Sequence, residues 1–193
     1  MEFVKTYPET WRACRAFTRK IITAEPPKQR HGIFRMLGIK EPCFASYVSK
    51  RFPYTYTGGG IVFSTEARPA KVLALDSVDL DRITLVHGLQ AETEEGLRLL
   101  KKNFIFDSIE EMKKRGDADT FLRKFMELTG SQTPIGRYTE VVFEGNIRIE
   151  PKALFDFSDK ELKGLMGLLK GSEILCNPES LPRFKNAVDY FNR

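Results

Sequence analysis

The chain reads as a single α+β domain, on three observations. Apolar runs of strand length lie early and late, at Gly60-Ile61-Val62-Phe63 and Val141-Val142-Phe143. Helical periodicity is concentrated between them, over about residues 90–129. A chain of 193 residues, 41% hydrophobic and with 15 Phe, supplies one core and not two large ones. Strands segregated from a block of helices are the signature of an α+β layer arrangement.

The elements follow in order. Residues 6–23 have helical spacing at Trp11, Cys14, Phe17 and Ile21. Thr6 stands at the cap position and Pro8 in the first turn, while Arg12, Arg15, Arg19 and Lys20 lie on the other face. Such a helix is expected to pack as an outer layer, away from any cleft, its arginines available to an anionic partner. Glu25-Pro26-Pro27-Lys28 ends it. Residues 32–39 read as a strand, 42–51 as a short helix, 53–58 as a loop and 60–65 as a strand. Pro69 opens a short helix over 68–75, and 82–86 reads as a strand. Residues 91–104 and 108–128 read as helices, the second interrupted near Gly116 and opened by Ser108 with Glu111 three residues on. A loop over 130–136 leads to strands at 137–143 and 147–149, joined at Glu144-Gly145-Asn146. Ser158 and Glu161 form a second capping-box pair, and a last helix covers 181–191. No repeat or low-complexity segment divides residues 1–193.

The net charge of +5 and pI near 9.1 favour anionic partners: nucleotides, nucleic acid or acidic protein faces. Cys14, Cys43 and Cys176 are few, odd in number and widely spaced, which excludes a disulfide framework or zinc knuckle and suits reduced thiols in a cytoplasm. No segment has the length of apolar sequence a membrane span needs, and no apolar signal core opens the chain. His31 and His87 stand apart from any acid or cysteine at ligand spacing, so no metal site is expected. There is no Walker loop, G-x-G-x-x-G or G-x-S-x-G.

Three polar groups punctuate apolar segments. Arg35 follows Phe34, and a guanidinium in apolar surroundings needs an anion: a phosphate, a ligand carboxylate or a structural one. Ser64 and Thr65 close the strand that Gly58-Gly59-Gly60 opens; glycine lets a backbone approach a ligand, whereas a hydroxyl pair also makes an ordinary turn cap. Glu140 precedes Val141-Val142-Phe143, and alternation puts Tyr138, Glu140 and Val142 on one face, where the carboxylate serves a cleft or a solvated edge.

Phe34-Arg35, Phe63-Ser64-Thr65-Glu66 and Tyr138-Thr139-Glu140 in this order resemble the motifs of the Arg–Ser–Glu branch of the mono-ADP-ribosyltransferases. Two positions depart from that pattern: Glu66 stands at the third position of the Ser-Thr-Ser motif, and Tyr138 stands two residues before the glutamate, where the family has Glu or Gln. The resemblance implies a split antiparallel β core with peripheral helices and a helical insertion. It implies NAD as substrate, no metal, and catalysis by Glu140 with Arg35 and Ser64. NAD would be held by Arg35, Tyr54, Tyr56, Gly60, Ser64 and Thr65, and a protein or nucleic-acid acceptor would arrive at Arg137 and Tyr138. His31-Gly32 also resembles the His-Gly of the poly(ADP-ribose) polymerases. Gly60-Ile61-Val62-Phe63-Ser64-Thr65 followed by Asp76 resembles the RES-type NAD glycohydrolase toxins, in which Asp76 would be the acid. The third alternative is a non-enzymatic basic protein that binds nucleic acid or an acidic partner.

Overall fold

The computed structural model describes residues 1–7, 10–24, 32–56 and 58–193, with Thr10 and Trp11 described through their backbone alone. Pro8, His31 and the break at Glu25-Pro26-Pro27-Lys28 lie outside the described residues. The chain runs β1 (Glu2–Thr6), α1 (Thr10–Arg19), β2 (Ile21–Ile22), α2 (Gly32–Met36), β3 (Pro42–Tyr47), β4 (Gly60–Ser64) and β5 (Lys71–Leu73). There follow α3 (Ser77–Val86), α4 (Glu94–Asn103), β6 (Ile105–Phe106), α5 (Ile109–Arg115), α6 (Ala118–Thr129), β7 (Thr139–Glu144), β8 (Ile147–Arg148), β9 (Glu150–Phe155), α7 (Asp159–Leu169), β10 (Arg183–Phe184) and α8 (Ala187–Phe191).

Eight strands form one ladder in the order β10-β9-β4-β1-β3-β7-β5-β6, antiparallel except for the β9–β10 pair, and β2 pairs with β8 separately. This is an α+β architecture on one continuous, mostly antiparallel ladder. The ladder closes at each edge with a strand of two residues. The buried arginine-bearing strand expected at 32–39 is the short helix α2, which buries Ile33 and Phe34 while Arg35 and Met36 face outward. The helix expected at 42–51 is the central strand β3, buried on both sides. Within the helix expected at 68–75, Lys71–Leu73 is a strand, and the strand expected at 82–86 is the second half of helix α3. The expected helix of 6–23 begins only at Thr10, because Glu2–Thr6 enters the sheet as β1 between β3 and β4.

Residues 90–129 carry α4, the short strand β6, α5 and α6. Asp117 caps α6 and Gly130 ends it at φ 66°, the left-handed conformation that favours glycine. Ser158 and Glu161 make the full reciprocal box on α7. At α5 the Ser108 hydroxyl accepts from the Glu111 N–H, whereas the Glu111 carboxylate returns to the Asp107 N–H.

The main core joins Ala13, Ala16 and Phe17 of α1 to Phe3, Cys43, Phe63 and Phe143 of the sheet. Phe3 and Phe143 meet edge to face, 5.3 Å between ring centres. A smaller cluster packs Val4, Val62, Ala153 and Phe155 against Ala187 and Tyr190 near α8. No helix among the described residues is long and apolar enough to cross a membrane.

Gly60 is where the sheet is tightest. A Cβ there would overlap both the Lys5 carbonyl and the Phe155 ring. The carbonyl belongs to a paired backbone and cannot turn aside. Gly60→Ala is therefore expected to cost about 1–3 kcal/mol as an overpacking change. It should read as a lowered urea midpoint with unchanged slope, and an unaltered midpoint would contradict the packing at this position.

Candidate active site

The site is built on a row of paired residues. Register aligns Val62 of β4, Val4 of β1, Ser46 of β3, Glu140 of β7 and Leu73 of β5. Directly opposed residues project to the same side of a sheet. Glu140 and Ser46 are thus neighbours on one face of the central strands, and both line a cavity of about 560 Å³. Glu140 is only 6% exposed. One of its oxygens, Oε2, accepts from the Ser77 backbone N–H at 3.2 Å, in the first turn of α3. That N–H has no intrahelical partner and calls for an acceptor.

A second carboxylate stands beside it. Asp76 caps α3, accepting from the Val78 N–H at 3.0 Å and from the Ser77 hydroxyl at 3.3 Å. The Tyr138 phenol faces Asp76. Burial pushes this phenol far above its ordinary range, and the neighbouring Glu140 and Asp76 carboxylates push it further the same way. Tyr138 therefore stays protonated at any physiological pH and acts there as a donor. Its ring meets Tyr56 edge to face at 5.7 Å, and Tyr56 is half exposed. Both tyrosines line the cavity.

The opposite wall comes from the first 24 residues. Lys5, Thr6, Arg12 and Arg15 line the cavity, the last two from the outward face of α1. The expectation that this basic helix stands clear of the cleft is thereby corrected. Ala13, Ala16 and Phe17 bury its other side, and this turns Arg12 and Arg15 toward the opening. With Tyr7 also in its lining, the cavity thus combines a buried carboxylate, three tyrosine rings and several cations, a set suited to a ligand with an aromatic ring and anionic groups.

Of the residues singled out from the sequence, Glu140, Tyr138 and Tyr56 come together here. Arg35 does not join them: it is exposed on α2 and does not line the cavity. Ser64 lies at the far end of β4, paired with Glu2 and Glu150. It is three strands and two residues away from Glu140, about 16 Å at ordinary strand spacing. The Thr65 hydroxyl donates to the Arg148 carbonyl at 2.6 Å and accepts from the Ala67 N–H at 3.1 Å, which makes a local turn. Gly60 serves sheet packing, Tyr54 packs half-buried against the core, and Arg137 is exposed; none of the three lines the cavity.

Ser46 is a cavity residue that the sequence reading did not select, and Arg12 and Arg15, read there as serving an anionic partner away from the cleft, line the cavity instead. Ser46 carried a signal, a lone hydroxyl inside Cys43-Phe44-Ala45-Ser46-Tyr47. The described residues contain no group of three or more His, Cys, Asp or Glu side chains placed to hold a metal ion. None of the three cysteines is in a disulfide; Cys43 is buried and Cys14 and Cys176 are half-buried. Comparison with protein-family models, with curated proteins and with solved structures gave no match to this chain.

Proposed function

We propose that the cavity around Glu140 binds NAD and cleaves its nicotinamide–ribose bond, transferring ADP-ribose to a protein or nucleic-acid acceptor on an ADP-ribosyltransferase-like fold. The observation that carries this reading is Glu140. The acid singled out from its place in an apolar strand is buried, held by a backbone N–H, and lines the cavity of about 560 Å³ beside three tyrosines and two arginines.

In the reaction the C1′–N bond breaks and its electron pair leaves with nicotinamide. Positive charge grows on the ribose, and the Glu140 carboxylate stabilises it at short range from a buried position. A nucleophile on the acceptor then bonds C1′ and gives up its proton. Tyr56 and Tyr138 offer faces and edges for the nicotinamide ring. Arg12 and Arg15 take the diphosphate role that the motif resemblance gave to Arg35.

The test is release of free nicotinamide on incubation with NAD, with and without protein and oligonucleotide acceptors. Arg15→Ala is expected to raise KM for NAD by about tenfold or more with kcat little changed, since a charge-assisted bond that only positions substrate acts on binding. An equal loss in kcat would move Arg15 into the chemical step.

A second reading is favoured by one observation: Arg35 and Ser64 lie outside the cavity. Under it the same cavity holds an anionic ligand without turnover. NAD bound but never cleaved, with any acceptor, would establish that reading in place of the first. A RES-type glycohydrolase would instead depend on Asp76, beside Tyr138, and would need no acceptor.

A further inference from the structure

A second concave surface lies in the helical insertion, apart from the residues around Glu140. It is a cleft of about 350 Å³ between α4, α5 and α6, and its lining includes Lys102, Arg115, Arg123 and Lys124 with Glu127 as the one acid. Helices α4 and α5 each begin with two glutamates and end with lysines or arginine. Their basic ends meet, and the Arg115 guanidinium donates to the Lys102 carbonyl at 3.0 Å, which fastens one end to the other. The floor is Phe121, 3% exposed and packed among Phe52, Phe104 and Phe106.

Helix polarity accounts for Lys102 and Arg115, since cations are favoured at C-termini. It does not account for Arg123 and Lys124, which sit in the middle of α6. Lys124 pairs with Glu127 at 3.2 Å. Arg123 donates to the backbone carbonyl of Asp119, at 3.4 Å, and not to its carboxylate. Four cations from three helices therefore gather on a rigid floor with one acid among them.

We propose that this cleft binds the phosphate backbone of nucleic acid without regard to sequence. A small anion sunk between α4 and α5 would meet the negative ends of two helices. A long polyanion touches only the side-chain tips and avoids those ends. The buried ring of Phe121 offers no face for base stacking, so the contacts go to phosphates and carry no sequence information. The proposal stands independently of NAD cleavage and supplies a surface on which a nucleic-acid partner would dock.

The test is fluorescence anisotropy of a labelled random-sequence oligonucleotide with the full chain, in single-stranded RNA and duplex DNA arms. With three to four phosphates neutralised, a fourfold rise in salt should weaken duplex binding by about 40- to 150-fold and single-strand binding by about 20- to 50-fold. The paired substitutions Lys102→Glu and Arg123→Glu, both at exposed positions, should lower affinity at least tenfold while far-UV circular dichroism stays unchanged. Nicotinamide release without nucleic acid should be unchanged in this variant. Binding unaffected by the two substitutions overturns the proposal, as does no binding at low salt. Binding that depends instead on Arg12 and Arg15 also overturns it, because the anion site would then be the Glu140 cavity.

Discussion

Glu140→Gln is expected to lower nicotinamide release by about 10²–10³ while leaving the fold intact. The substitution keeps the side chain's size and one carbonyl oxygen, which still accepts from the Ser77 N–H now 3.2 Å from Oε2. What it removes is the negative charge facing the ribose as nicotinamide leaves. Loss of one electrostatic contact of this kind costs about 10²–10³ in rate at comparable catalytic donors. The loss should fall on kcat, with KM for NAD within about threefold of the parent. The measurement is single-turnover nicotinamide release beside a urea titration of the same preparation. A variant as fast as the parent removes Glu140 from the chemistry and leaves Asp76, across the Tyr138 phenol, as the acid to replace next.

The second large effect is on stability. Asp79 is fully buried, and its Oδ1 accepts from Arg82 at 2.7 Å and from the Ile135 N–H at 2.9 Å. Its Oδ2 accepts from the Gly136 N–H at 2.8 Å. One carboxylate thus ties the 130–136 loop to α3, just ahead of Tyr138 and Glu140. Asp79→Ala orphans two backbone donors and removes the partner of a guanidinium that retains the Gln132 side chain at 2.9 Å and the Thr133 carbonyl at 3.1 Å. Breaking a buried pair in this way costs about 3–5 kcal/mol. That is a large part of the roughly 5–15 kcal/mol that holds a domain together. Asp79→Asn, which keeps the shape, should cost less. A urea unfolding free energy for Asp79→Ala within about 1 kcal/mol of the parent would show that the loop is held by other means.

Residues with a local physical cause were legible in the sequence. The helices of the insertion were read from spacing and caps, and β4 and β7 from apolar runs between glycine and polar residues. Glu140 was found because an acid at the head of the apolar run Val141-Val142-Phe143 is visible without tertiary context. The errors fall where a short apolar run fits either period. Pro42–Tyr47 is buried on both sides, so it lacks the alternation that marks a half-buried strand. Ser77–Val86 has β-branched residues that favour a strand, and its Asp76 cap outweighs them. Arg35 seemed to sit in a strand because Ile33 and Phe34 are apolar. They are instead the buried face of a single helical turn and a half, and the arginine points the other way. The Asp79 tether could not be read at all, since its partners come from a loop 56 and 57 residues later.

The two-residue strands β6 and β10 give the large sheet an unusual perimeter. An open sheet is vulnerable at its margins, where unpaired amides and carbonyls template the strand of another chain. Here the long strands β1, β3, β4 and β7 are interior, and β10 pairs with β9 only at Leu154 and Phe155, leaving a short outer stretch of β9 that Pro151 interrupts between Glu150 and Lys152. Arg183 and Lys185 add charge at one margin and Asp107 at the other. Such short, charged selvedges hold too few backbone groups to recruit a foreign strand. Resistance to amyloid-like stacking is thus built into the order in which the strands were laid down.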